Sequence, residues 1–344
     1  MSEGAELVPA SPVDVALVDR ALSPAARERI AAAVAPNTVR AYGRVWDGRP
    51  SPDAPAPSPP GGFLGWCLRA GRTPLPATPE TLAEYVSHLC DEGRAPSTIE
   101  QAIAAIRTVH HAAGHERPDA EAALKVLRAH RRFRADAGLA NQRQSTPVVV
   151  EQLRKMVERL DRTTPIGLRD HALLLLGIVS FGRRSEIVAF TWEDVSKAPE
   201  GLILRIRRSK TDQDAKGATV PVLYGAFPGT DPVRVLNRWR DHCASRGITS
   251  GPLLRSVDRH GHLGERLSTQ AVNDIVKRCA ARAGLDPGYT AHSLRAGAAT
   301  IAYMNGAPIS TICRLGRWKQ GSPVVLGYIR AVDQWKDHPF RGVL

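Results

Sequence analysis

The residues with the clearest chemical potential lie in the second half of this 344-residue chain. Phe181-Gly182-Arg183-Arg184-Ser185-Glu186 follows the most apolar stretch of the sequence, Ala172 to Phe181. Arginines next to a buried helix are costly unless they meet an anion or a carboxylate. Glu186, three residues after Arg183, can fix one side of a guanidinium and leave its other donors free. Taken alone, a structural Arg–Glu pair is the commoner explanation. Ala291-His292-Ser293-Leu294-Arg295 sets an imidazole and a guanidinium three residues apart at the start of a helix. Imidazole can move a proton near neutral pH, and guanidinium can grip two phosphate oxygens. Lys210 sits where a strand enters a turn, and such lysines are usually solvated. Trp318, in Gly316-Arg317-Trp318, offers an indole N–H or plain packing. Tyr328, in Leu326-Gly327-Tyr328-Ile329-Arg330, carries a phenol that needs cationic neighbours before it can act as a nucleophile.

The elements that must position these groups read as mainly α. Helices are predicted from Asn37, where Val39, Tyr42, Val45 and Trp46 share a face, and again near 63–67, 80–92, 97–113 and 119–136. Six prolines between Arg49 and Gly62 interrupt the first pair with a loop. Residues 1–36 read as a mobile arm with a short helix at Pro24–Val34, residues 37–136 as a helical bundle, and 137–146 as a linker. A mixed α+β domain follows over 147–330, then a tail, 331–344, that either folds back or docks on a neighbour. In the α+β domain, Leu202–Arg208 and Ala218–Leu223 read as the strands of one small antiparallel sheet. Helices are predicted at 149–160, 166–180, 233–245, 268–283, 293–305 and 310–315.

A net charge of +13 favours a polyanionic partner. An acidic membrane surface is the weaker rival, because the basic residues recur along the chain instead of forming one stripe. On the fourth bundle helix Lys125, Arg128 and Arg132 share a face, which Arg131 and Arg134 extend. Such a face is either solvated or set on phosphates. The five cysteines are widely spaced, without CxxC pairs, and read as reduced packing residues of a cytoplasmic protein. Met1-Ser2-Glu3-Gly4 does not read as a signal peptide, and no apolar stretch approaches a membrane span.

No single motif decides the chemistry, but their order does. Arg183, Lys210, His292-x-x-Arg295, Trp318 and Tyr328 in succession resemble the tyrosine recombinase (phage integrase) family. The likeness is to members with Trp where many integrases carry His, and it covers residues 147–330. The bundle at 37–136 resembles that family's core-binding domain in pattern only. The resemblance implies a C-shaped clamp on double-stranded DNA, two protomers per site and a tetramer on two sites, with no cofactor and no metal. It implies that Tyr328 attacks a phosphodiester to give a 3′-phosphotyrosine. Arg183 and Arg295 would hold the phosphate, Lys210 would protonate the leaving 5′-oxygen, and His292 would take the phenol proton or bond the phosphate. Trp318 would donate its N–H, and Glu186 would orient its neighbours. It further offers Gln270, Asn273, Lys277 and Arg278 as groove-reading residues. The alternatives are a type IB topoisomerase, a binding protein without chemistry, and a helical scaffold with scattered charge. One departure bears on the nucleophile: Trp318 and Tyr328 are ten residues apart, one more than in the members it resembles.

Overall fold

A computed structural model describes residues 23–25, 29, 36–49, 57, 59–139, 145–207, 217–333 and 340. Most of the expected arm, part of the linker and the proline-rich loop, and the turn holding Lys210 therefore lie outside the described residues, as does nearly all of the tail. The chain divides into two compact units, residues 1–142 and 143–344.

The first unit is a bundle of helices α1 (Pro36–Trp46), α2 (Gly62–Ala70), α3 (Pro79–Asp91), α4 (Pro96–Ala112) and α5 (Glu121–Asp136). Proline opens α3 and α4, where its missing N–H costs nothing, and the Thr78 hydroxyl accepts from Thr81 N at 3.2 Å to cap α3. The core is built from Phe63, Leu82, Val86, Ile99, Ile106 and Leu127. α1 begins at Pro36, one residue before the expected Asn37, and α5 begins at Glu121, with the Asp119 carboxylate receiving Glu121 N at 3.0 Å. The proline-rich segment is pinched at its base. Gly61 N donates to Asp47 O at 3.0 Å, and a Cβ on Gly62, which lies at φ +57°, would fall 2.3 Å from Val45 O. Glycine there lets the start of α2 lie against the end of α1.

The second unit contains α6 (Val150–Glu158), α7 (Pro165–Val179), α8 (Arg184–Ala189), a 3₁₀ turn (Trp192–Asp194), β1 (Val195–Ala198), β2 (Gly201–Ile206) and β3 (Ala218–Leu223). After these come α9 (Pro232–Ala244), β4 (Arg255–Val257), β5 (Leu263–Arg266), α10 (Thr269–Arg282), α11 (Ala291–Met304), α12 (Ile309–Gly316) and α13 (Pro323–Asp333). The apolar α7 is buried along nearly its whole length, with α9 and α11 packed on it. β1, β2 and β3 form an antiparallel sheet in that order, with Leu204 opposite Val220. Leu202, Leu204 and Ile206 turn inward and Ile203 and Arg205 outward, as the alternation requires. Among the described residues the one expected sheet is corrected to two: β1 extends the first, and β4–β5 make a second, two-stranded one. Val-Ser-Lys-Ala in β1 and Leu-Gly-Glu-Arg in β5 are short and lack alternation, so neither shows in the sequence. No helix among the described residues is long and apolar enough to cross a membrane.

α11 is set against the start of the unit by a close backbone approach. Val148 N donates to Ser293 O at 3.0 Å, and a Cβ on Gly297 would lie 2.1 Å from Val148 O. Gly297→Ala is therefore expected to cost about 1–3 kcal/mol. Thermal unfolding should show it as a drop of roughly 2–4 °C for each kcal/mol. An unchanged Tm would contradict this packing.

Candidate active site

Four chain segments converge on one spot in the second unit. The first is the turn leaving α7. It ends at Phe181, whose φ of +50° is unusual for a residue with a side chain. Arg183 caps α8, and Glu186, in the first turn, returns one carboxylate oxygen to Arg183 N at 3.0 Å and the other to Arg183 Nη1 at 2.6 Å. The sequence pair is thus a capping carboxylate that also holds a guanidinium.

The second segment is the start of α11. Thr290 N donates to Ser293 Oγ at 3.0 Å, and Asn273 Oδ1 on α10 accepts from Ala291 N at 3.1 Å. These contacts fix the turn from which His292 and Arg295 project. Arg295 is 1% exposed, with Nη1 donating to Phe181 O and Nη2 to Gly316 O at 2.5 Å. The third segment is the end of α12, where the Trp318 ring lies 4.0 Å from the Arg295 guanidinium carbon. A Cβ on Gly316 would meet that ring at 1.8 Å, so glycine is required for the indole to cover the cation.

The fourth segment is α13, which carries Tyr328. The phenol oxygen is 2.7 Å from His292 Nε2, and its ring is 6.4 Å from that of Trp318. Between Trp318 and Tyr328 the chain makes a turn before α13 begins. Gly321 adopts φ +72°, Ser322 N donates to Lys319 O at 3.1 Å, and the helix starts at Pro323. The departure in spacing leaves the tyrosine aimed at the site.

Arg183, Glu186, His292, Arg295, Trp318 and Tyr328 are therefore brought together, while Lys210 lies outside the described residues. Two expected DNA contacts are engaged within the protein: Asn273 Oδ1 holds the start of α11, and Arg278 donates to the buried Asp170 at 2.7 Å. Gln270 is exposed and bonds Asp274 at 2.9 Å, and Lys277 is exposed. On α5, Lys125 pairs with Glu121 at 2.8 Å, Arg131 pairs with Glu100, and Arg134 reaches Leu139 O at 3.1 Å. Arg128 and Arg132 are exposed opposite the buried Ala123, Leu127 and His130, and neither forms an ion pair among the described residues. Sequence reasoning passed over Arg317, whose buried guanidinium reaches Glu186 Oε2 at 2.7 Å. Its only signal was its place between Gly316 and Trp318.

The electrostatics suit an anion. Burial would raise the Glu186 carboxyl, but Arg317 and the contacts from Arg183 hold it below the usual carboxylate range. Burial pushes Arg295 down to about 9, Arg183 adds repulsion, and Glu186 opposes both. That guanidinium still carries its charge at neutral pH, in a site that lacks enough negative charge to balance it. A phosphate would supply the missing charge. Burial, then Arg295 and Arg183, lower His292 from the usual imidazole value, so it is neutral at pH 7. Burial raises the Tyr328 phenol, and Arg295 offsets part of that rise. A neutral imidazole with its proton on Nδ1 can accept the phenol proton through Nε2.

Residues 146–334 match the phage integrase family. The chain belongs to that family. Among curated proteins, it is 33% identical over 320 residues to an integrase/recombinase xerD homolog of Selenomonas ruminantium, covering 92% of this chain and 88% of that one. It is 28% identical over 294 residues to the recombinase cre of Escherichia phage P1, covering 79% and 81%. The fold is similar to that of a lambda integrase fragment (residues 75–356) in a dimer bound to a COC′ core site. The TM-score is 0.50 at 15% identity, with 92% of each chain covered. As a phage integrase family member and relative of named tyrosine recombinases, the chain is an enzyme that cleaves and rejoins DNA.

The lowered His292 value fixes the sign of a pH effect. The lowering carries the midpoint of the imidazole's titration below its ordinary value of 6.5, so the acid limb of the cleavage rate should have its midpoint below pH 6.5. His292→Gln should lower the single-turnover rate by on the order of 10²-fold and remove that acid limb. A midpoint above 6.5, or a limb that survives the substitution, would contradict the assignment.

Proposed function

We propose that this site-specific recombinase breaks and rejoins DNA through a 3′-phosphotyrosyl link at Tyr328. The Tyr328 oxygen attacks the phosphorus, its proton passes to His292 Nε2, and the P–O5′ bond breaks. Lys210, by its place in the order of motifs, protonates the departing 5′-oxygen. Arg183 and Arg295 hold the non-bridging oxygens with the donors they do not spend on Glu186 and on backbone carbonyls. Trp318 covers the Arg295 guanidinium and keeps water from it. Return of a 5′-hydroxyl reverses the step, so the phosphotyrosyl bond conserves the energy of the phosphodiester. The observation that carries this reading is the 2.7 Å contact between Tyr328 and His292 beside the buried Arg295.

The partner is duplex DNA, in keeping with the net charge of +13. Exchange between two sites calls for two protomers on each and four in all. The bundle at 37–136 acts as the core-binding domain, 147–330 as the catalytic domain, and the work is done in the cytoplasm on the nucleoid. Arg128 and Arg132 are the bundle residues best placed for phosphate.

The test uses suicide duplexes carrying the chromosomal sequence that flanks the gene. Wild type and Tyr303→Phe should form a covalent protein–DNA adduct, and Tyr328→Phe should form none. Tight binding without any adduct would favour a binding-only protein. Relaxation of plasmids regardless of sequence would favour topoisomerase activity. Replacing both Arg128 and Arg132 by Ala should lower the slope of log affinity against log salt by about 1.8, since each neutralised phosphate contributes about 0.9. An unchanged slope would remove them from the interface.

A further inference from the structure

Among the described residues, two that are not glycine adopt left-handed backbone conformations, Phe181 at φ +50° and Arg317 at φ +56°. They meet. Arg317 Nη2 donates to Phe181 O at 3.2 Å and to Ser180 O at 3.2 Å, while Nη1 donates to Ser180 O at 3.2 Å and to Leu315 O at 2.7 Å. The same Nη2 reaches Glu186 Oε2 at 2.7 Å, and the side chain is 7% exposed. One guanidinium thus ties the end of α7 to the end of α12 and to the capping carboxylate of α8. Strained backbone of this kind persists where its surroundings hold it, and it gathers at functional sites.

Those contacts fall on the groups that hold the two phosphate-binding arginines. Phe181 O accepts from Arg295 Nη1 as well as from Arg317. Glu186 gives Oε1 to Arg183 Nη1 at 2.6 Å and Oε2 to Arg317 Nη2 at 2.7 Å. Arg317 therefore divides the carboxylate, so that Arg183 is oriented by one oxygen without being neutralised by both. It also fixes the carbonyl against which Arg295 is braced.

We infer that Arg317 is a positioning residue for strand cleavage, acting through Glu186 and the Phe181 carbonyl to set Arg183 and Arg295 on the scissile phosphate. The inference rests on the reading of this site as the seat of that phosphate. Both terminal nitrogens of Arg317 are engaged by carbonyls and by Glu186, and in this reading the phosphate is held by Arg183 and Arg295, which Arg317 orients. Without it, Glu186 would turn wholly to Arg183 and draw that cation away from the phosphate.

The test is a double-mutant cycle in the full-length protein, read as single-turnover adduct formation on the suicide duplexes. Arg317→Gly suits the left-handed backbone, so it removes the side chain without adding strain. Arg317→Lys keeps the charge but cannot span Glu186 and three carbonyls. Each should slow adduct formation by on the order of 10²-fold, the cost of a small misplacement, with DNA affinity close to wild type. In a Glu186→Gln background, Arg317→Gly should cost much less than it does alone. Three results would overturn the inference. One is a lowered Tm with an unchanged rate well below unfolding, which makes Arg317 a fold residue only. Another is full recovery of the rate by Arg317→Lys. The third is an equal cost in both backgrounds with a salt slope reduced by about 0.9, which makes Arg317 a phosphate ligand in its own right. Failure of wild type to form any adduct would instead overturn the underlying reading, and is distinguished by being seen before any variant is made.

Discussion

Arg295 carries a cation that is 1% exposed, and a charge so placed is tolerable only if its donors are met and an opposite charge is near. Two backbone carbonyls, the face of Trp318 and the nearby Glu186 meet part of that need. Three guanidiniums, Arg183, Arg295 and Arg317, share the one carboxylate of Glu186. The remaining imbalance is what a phosphate would correct, and more so as negative charge builds on it in a transition state. The site is organised for an anion before one arrives.

Much of the second unit follows from holding that cation in place. Phe181 takes a left-handed conformation that points its carbonyl at Arg295. Gly316 is glycine because the indole over Arg295 leaves no room for a Cβ. The capping contacts at Thr290, Ser293 and Asn273 set the start of α11, so His292 and Arg295 leave one turn in fixed relation. Burial, then Arg295 and Arg183, depress His292, and Arg295 offsets part of the rise that burial gives the Tyr328 phenol, so one guanidinium acts on both groups.

The fold was legible where pattern and burial agree. The continuous apolar run of α7 and the alternation in β2 match elements that bury those residues. Short strands such as β1 and β5, fixed by their neighbours, carried no period to read. Of the site, the residue types and their order were legible, because the chemistry constrains them. Partners that depend on long-range packing were not. Asn273 and Arg278 look like surface polar residues on an amphipathic helix, yet one caps α11 and the other neutralises the buried Asp170. Arg317 looked like one more arginine in a basic chain, and its left-handed backbone, its burial and its contacts to Glu186 and backbone carbonyls set it apart.

The central claim is that Tyr328, and no other tyrosine, becomes bonded to DNA. Trypsin digestion of the trapped adduct followed by mass spectrometry locates that bond directly. The nucleotide should be carried by the peptide Gln320–Arg330, which contains Tyr328 and no other tyrosine. Nucleotide on Ala283–Arg295 or Ala296–Arg314, which contain Tyr289 and Tyr303, would contradict the account.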